Sequence, residues 1–171
     1  TVLDIAETYE FVINDQIGDL VDPVFYHINV ESYTDVEYYT ALHSGSNLKS
    51  FYILPEDVFI ENMFSPFENE VSGIIGEGVA ATYVESLGWI GTLTYIEAQS
   101  GYWLNMLEET DFSFYGYSVD PSLEYSLHSG SNLISFPSQG SVGIADGIPD
   151  DVEDQFTGIL AEGLATMNMG D

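Results

Sequence analysis

The sequence predicts a mainly β protein: two related antiparallel modules of β-sandwich or barrel-like form with short helical turns, the second module incomplete. Three observations predict it. The word Leu42-His43-Ser44-Gly45-Ser46-Asn47-Leu48 recurs as Leu127-His128-Ser129-Gly130-Ser131-Asn132-Leu133, and both instances run on to Ser-Phe (Ser50-Phe51, Ser135-Phe136). Short apolar segments recur every ~8–12 residues, separated by Gly, Pro, Ser and Asp, which is the rhythm of antiparallel sheets. Hydrophobic residues make up 45% and aromatics 14% of the 171 residues, enough to build a core.

The offset between the two words is 85 residues, and it holds without a gap through Gly73-Ile74/Gly158-Ile159, Glu77-Gly78/Glu162-Gly163 and Ala80/Ala165. Across residues 42–80 and 127–165, 15 of 39 positions are identical, so the chain contains a duplication. The first repeat continues to about Tyr117, whereas the sequence ends at Asp171. The second repeat is therefore expected to lack roughly its last 31 residues. The expected division is residues 1–33 as N-terminal strands, 34–119 as a complete module and 120–171 as a truncated one.

The elements follow in order. Glu7-Thr8-Tyr9-Glu10-Phe11-Val12-Ile13 alternates, which places Tyr9, Phe11 and Ile13 on one face of a strand. Asn14-Asp15-Gln16 reads as a turn, and residues 23–30 as a second strand. Each word is entered from a strand through an acidic connector, residues 33–37 or 120–124. Ser44-Gly45-Ser46 is a turn or bulge leading into a strand over residues 47–51. Pro55-Glu56-Asp57 before Val58-Phe59-Ile60 predicts a short helical turn, because Pro and acids favour a helix start. Residues 66–71 and 149–156 carry the same suggestion in the two repeats. Residues 80–84, 88–93, 101–106 and 111–116 supply further strands.

Charge excludes several functions. There are 29 acidic residues, and Lys49 is the only Lys or Arg, for a net charge of −28. Phosphate neutralisation needs a basic surface, so nucleic acid is not a partner. An anionic membrane surface would repel the chain, and no apolar run approaches the ~18–20 residues of a membrane span. The carboxylates must be solvated, screened, hydrogen-bonded or neutralised by bound cations. Absence of cysteine removes any disulfide framework, and no Asn-x-Ser/Thr sequon occurs. Thr1, with neither initiator Met nor leader, fits an exported protein after processing.

Gly45-Ser46-Asn47-Leu48-Lys49-Ser50-Phe51 and Gly101-Tyr102-Trp103 resemble the opening and closing strands of a repeat module found in large secreted and cell-surface bacterial proteins. Such modules often carry Trp before the Asn, where this chain has Ser46 and Ser131. The resemblance covers about residues 42–117 and 127–165. It implies an exported, non-catalytic, array-forming β module, and it names no ligand.

Several motifs invite chemistry. His43-Ser44 and His128-Ser129 suggest a hydrolase, but no Gly-x-Ser-x-Gly elbow is present. Their equivalent places in a duplicated element favour turn hydrogen bonding instead. Paired acids as in glycosidases carry no signal where 29 carboxylates make some close pair inevitable. Gly73-Ile74-Ile75-Gly76-Glu77-Gly78 resembles a phosphate loop superficially, but Glu77 would repel phosphate, so a turn or packing role is expected. The acidic cluster Asp146, Asp150, Asp151 and Asp154 could hold Ca2+, although its spacing matches no calcium loop and acids also enrich helix starts. Trp89, Tyr102 and Trp103 are the candidates for a sugar-stacking platform. Trp89 and one of Tyr102/Trp103 are expected in the core, because adjacent strand residues face opposite ways.

An incomplete module exposes sheet edges and apolar faces. The strand carrying Tyr9, Phe11 and Ile13 belongs to neither repeat and could complete another subunit's sheet by strand addition. Donor and acceptor at opposite poles give a head-to-tail contact that does not close. The expectation is a non-catalytic structural subunit of an extracellular filament or surface array, whose partners are copies of itself. A carbohydrate-binding or adhesion module of a larger secreted protein is the alternative. No cofactor is required, with Ca2+ the one candidate.

Overall fold

The computed structural model describes the backbone of residues 8–13 and 24–29 and all of residues 35–168. The chain divides into two units, Thr1–Thr34 and Asp35–Asp171. In the first, β1 (Thr8–Ile13) and β2 (Val24–Asn29) pair antiparallel, with Tyr9 opposite Ile28 and Phe11 opposite Tyr26. The turn expected at Asn14-Asp15-Gln16 lies outside the described residues, as do the side chains of Tyr9, Phe11 and Ile13.

The second unit holds both repeats. Its order is β3 (Val36–Leu42), β4 (Gly45–Lys49), β5 (Ile53–Leu54), α1 (Ile60–Met63), a 3-10 turn (Ser65–Phe67), β6 (Val71–Ile75), β7 (Ala80–Val84), β8 (Gly88–Gly91), β9 (Tyr102–Met106) and β10 (Thr110–Ser118). The second repeat adds α2 (Ile144–Gly147), a 3-10 turn (Glu153–Gln155), β11 (Gly158–Ala161) and β12 (Leu164–Met167). The fold is mainly β, as the sequence predicts. All the ladders are antiparallel, the helices are single turns, and no sheet closes into a barrel among the described residues.

Two sheets of the first repeat make the sandwich. One has the order β4-β9-β6-β7-β8 and the other β3-β10-β5. Alternation decides which side chains lie between them. In β9, Tyr102, Leu104 and Met106 are buried while Trp103 and Asn105 are not. Across the gap stand Leu42 and Tyr38 of β3 and Phe112 of β10, with Phe51 and Phe64 filling between. Aromatic rings dominate this core: Tyr38 stacks on Phe114 at 4.9 Å and Phe64 on Phe112 at 5.3 Å. The Tyr38 hydroxyl donates to the Ser50 carbonyl at 3.2 Å, which satisfies a phenol that burial holds protonated far above its ordinary range.

Gly116 marks the point where β10 changes partners, from β3 (Gly116 opposite Val36) to β5 (Tyr117 opposite Leu54). A Cβ there would stand 2.2 Å from the Leu54 carbonyl oxygen, so only glycine lets the third strand approach. The β4 ladder runs from Gly45 opposite Met106 to Lys49 opposite Tyr102. It begins and ends two residues earlier than the alternation alone suggests, because pairing with β9 sets its limits.

The second repeat follows the first only in part. Its α2 and its β11–β12 hairpin fall where α1 and β6–β7 fall, to within three residues at the 85-residue offset. Its segments at 121–127 and 130–134, the counterparts of β3 and β4, form no strand. The physical reason is pairing. β3 is held only by β10 and β4 only by β9, and no counterpart of β9 or β10 occurs among the described residues. The hairpin survives because its two strands hold each other.

Phe112, fully buried and in contact with five other rings, sets a test of this core. Phe112→Ala should cost about 3–5 kcal/mol in urea unfolding. Leu87→Ala, at a position 71% exposed, should stay within about 0.5 kcal/mol of the parent.

Candidate functional site: reciprocal clasps between the two repeats

The duplicated word folds into a braced loop. The Asn47 side chain closes it from inside: Oδ1 accepts from the His43 amide at 2.9 Å, and Nδ2 donates to the carbonyls of His43 (2.8 Å) and Gly45 (3.1 Å). Asn132 does the same for the second word, with the His128 amide at 2.9 Å and the carbonyls of His128 and Gly130 at 2.9 and 3.3 Å. Gly45 and Gly130 lie at φ +97° and +106°, a conformation that glycine adopts without strain. Asn47 is 1% exposed.

The brace aims a histidine outward. In each loop the ring Nδ1 donates to the next residue's carbonyl, Ser44 at 2.8 Å and Ser129 at 2.9 Å. The opposite nitrogen meets a carboxylate from the other repeat. His43 Nε2 stands 2.5 Å from Glu162 Oε1, and Glu162 Oε2 accepts the Leu48 amide at 2.9 Å. His128 Nε2 meets Glu77 Oε1, and Glu77 Oε2 accepts the Leu133 amide at 2.6 Å. Each glutamate is the first residue of a two-residue hairpin turn, Glu77-Gly78 between β6 and β7 and Glu162-Gly163 between β11 and β12, with both glycines at φ +71°. A positive φ only at the second turn position is the type II geometry, which calls for glycine there.

The two clasps are equivalent at the 85-residue offset, yet they cross: each repeat offers its glutamate to the other's loop. That is the pattern of an isologous contact, built here within one chain. Supporting bonds run beside it. Ser50 Oγ donates to the Phe136 carbonyl at 3.3 Å, the Ser135 amide to Gln99 at 2.9 Å, and the Gly101 amide to Leu133 at 3.0 Å.

Geometry fixes the charge state. Nδ1 faces a carbonyl, which can only accept, so it carries a proton. Nε2 faces a carboxylate and carries the second, so the ring is an imidazolium. The Ser44 and Ser129 carbonyls, then the glutamates, hold His43 and His128 above the ordinary imidazole value. The Leu133 amide and then His128 hold the Glu77 carboxyl below its ordinary value. Partial burial pushes Glu162 up, but His43 and the Leu48 amide outweigh it and leave that carboxyl low. Both clasps are largely solvent-exposed, so salt screens them.

Other carboxylates are stabilised without cations. Asp111 accepts the Tyr39 hydroxyl at 2.7 Å, Glu68 the Tyr83 hydroxyl at 2.7 Å, and Asp120 both the amide and the hydroxyl of Ser122. The Ser122 bonds hold Asp120 below its ordinary value.

The remaining candidates are dispersed. Tyr102 is 1% exposed in the core, its hydroxyl accepting the Glu97 amide, and it offers no face to a sugar. Trp89 sits opposite Tyr83 and packs edge-on against Phe64, so it lies on the core side of its sheet. Trp103 lies between buried Tyr102 and Leu104 in sequence and therefore on the outer side, which leaves no shared platform. Asp146, Asp150, Asp151 and Asp154 do not converge: no group of three or more His, Asp or Glu is placed to hold a metal among the described residues. Tyr9, Phe11 and Ile13 alternate along β1. Turn hydrogen bonding by the histidines is present. Glu77 lies in the turn expected for its segment but also reaches His128, and its identity with Glu162 at the repeat offset is the signal that the two act as a pair.

The chain matches no protein-family model, no curated protein and no solved structure.

The charge states give a sign for pH. The histidine contribution is complete below the ordinary value of 6.5 and is lost as pH rises through the raised one. The glutamate contribution is complete above 4.5 and is lost as pH falls through the depressed one. At fixed ionic strength, the melting temperature of the parent should exceed that of the double variant His43→Gln/His128→Gln most between pH 4.5 and 6.5. The excess should shrink on both sides, and a difference flat with pH contradicts the imidazolium assignment. Separately, Asn47→Ala should cost about 1–3 kcal/mol in urea unfolding, because it orphans groups in a dry loop. Asn132→Ala, in the wetter second loop, should cost less.

Proposed function

We propose that this chain is a non-catalytic structural subunit of an extracellular filament or surface array, assembled head-to-tail by strand complementation. One observation carries the reading: core positions of the first repeat lie open in the second. Leu42 and Phe51 are each 1% exposed, whereas their counterparts Leu127 and Phe136 are 44% and 37% exposed. A repeat that presents core residues to solvent has a surface for another chain to cover. Three features support the assignment. The reciprocal clasps dock one repeat on the other and engage both imidazoles. Both histidines are engaged by the glutamates of the clasps, and the Ser44 hydroxyl donates to the Leu107 carbonyl. The acidic, cysteine-free surface suits a protein held soluble by charge until assembly.

Analytical ultracentrifugation and negative-stain imaging test the reading. Polymers that grow with concentration, and grow further as salt screens the −28 charge, are expected. A strictly monomeric chain at high concentration, in salt with or without Ca2+, overturns it.

A further inference from the structure

In the first repeat β9 is an interior strand, flanked by β4 on one side and β6 on the other. At the 85-residue offset the two flanks of β9 correspond to residues 130–134 and to β11, and each has an edge without a ladder among the described residues. β11 pairs only with β12. Along 130–134 the backbone alternates. Leu133 and Ser135 spend their groups on Glu77, Gln99 and Gly101. Asn132 and Ile134, whose N–H and C=O point the opposite way, form no backbone hydrogen bond among the described residues. Two edges without a ladder among the described residues therefore correspond to the two flanks of β9.

The sequence of β1 fits that strand. Its Tyr9-Glu10-Phe11-Val12-Ile13 has the pattern of Tyr102-Trp103-Leu104-Asn105-Met106, an aromatic followed by large apolar residues at every second position. In β9 the positions matched by Tyr9, Phe11 and Ile13 are the three buried ones. Resting on the array reading, we infer that β1 of another copy of this chain enters the second repeat as the counterpart of β9. The first repeat fixes the register. Tyr102, Leu104 and Met106 stand opposite Lys49, Asn47 and Gly45, and Leu104 and Met106 opposite Ile74 and Val71. Shifted by the repeat offset, Tyr9 lies opposite Ile134, Phe11 between Asn132 and Ile159, and Ile13 between Gly130 and Phe156. Insertion uses both edges of β1, so its ladder with β2 is exchanged for two ladders. A two-stranded hairpin is marginal alone, which makes β1 a donor held in reserve.

The absence of native cysteine makes the register directly readable. Trp103 and Leu48 are paired in the first repeat, so Glu10→Cys with Leu133→Cys places two thiols across the proposed junction. Mild oxidation should give a ladder of covalent multimers for this pair, and none for Glu10→Cys with Ser131→Cys, which is out of register. Equal ladders for both pairs overturn the register. A disulfide confined to monomers means that the chain's own β1 closes its own slot, and overturns the intermolecular assignment. As a second measure, a chain carrying residues 8–13 again after Asp171 through a flexible Gly/Ser linker should stay monomeric, its slot filled in cis. Polymers that persist unchanged in Phe11→Asp remove this junction while leaving the array reading in place. A parent chain that never polymerises removes the array reading itself.

Discussion

The amide of Asn47, buried beneath the His43 loop, fixes two things at once. It shapes the turn that delivers β4 into register against β9, and it orients the ring that meets Glu162. Without an internal donor–acceptor pair the loop would carry unpaired amides and carbonyls at the edge of a hydrophobic sandwich, at a cost of about 1–3 kcal/mol each. An aspartate could accept the His43 amide but could not donate to the carbonyls, and a serine is too short to do both. Asparagine supplies both functions at the required spacing. The recurrence of the same hydrogen bonds around Asn132, where the surrounding sheet is incomplete, shows that the loop is a local structure, independent of the strands beyond it.

Charge is managed by geometry here, since the sequence has one Lys and no Arg. Among the described residues, amides, hydroxyls and imidazoles supply the hydrogen bonds to carboxylates. Each clasp combines a charged donor and a backbone donor on one carboxylate, an arrangement that keeps direction where a lone ion pair on the surface would not. The remaining acids are left to water and counterions, which makes ionic strength a structural variable for this protein.

The fold was legible wherever local pattern decides it. Alternation in Tyr102-Trp103-Leu104-Asn105-Met106 gives the strand and its two opposite faces, and the spacing of Gly, Pro and Asp gives the antiparallel class. The identities at the repeat offset, Gly158-Ile159 with Gly73-Ile74 and Ala165 with Ala80, fall on the two matching hairpins. What local pattern cannot carry is which turn meets which loop, because Glu77 and His128 are 51 residues apart and His43 and Glu162 are 119. Those pairings came from tertiary packing, although the signal stood in the alignment of the repeats: residues identical at the offset include all four members of the clasps. The sequence placed one of Tyr102 and Trp103 in the core without saying which, and packing against Phe51 makes it Tyr102. The acids around Asp150, whose spacing matches no calcium loop, form no metal-holding group among the described residues, because density along the chain does not bring carboxylates together in space.

Reciprocity gives the clasp a valence of one. Each repeat owns a single His loop and a single Glu turn, and both are consumed by the same neighbour, so the contact saturates at a pair. A third repeat brought to this face would find neither a free imidazole nor a free carboxylate. The clasp thus behaves as a parity device: repeats joined through it count in twos, and any longer series must be carried by a chemically different face of the molecule.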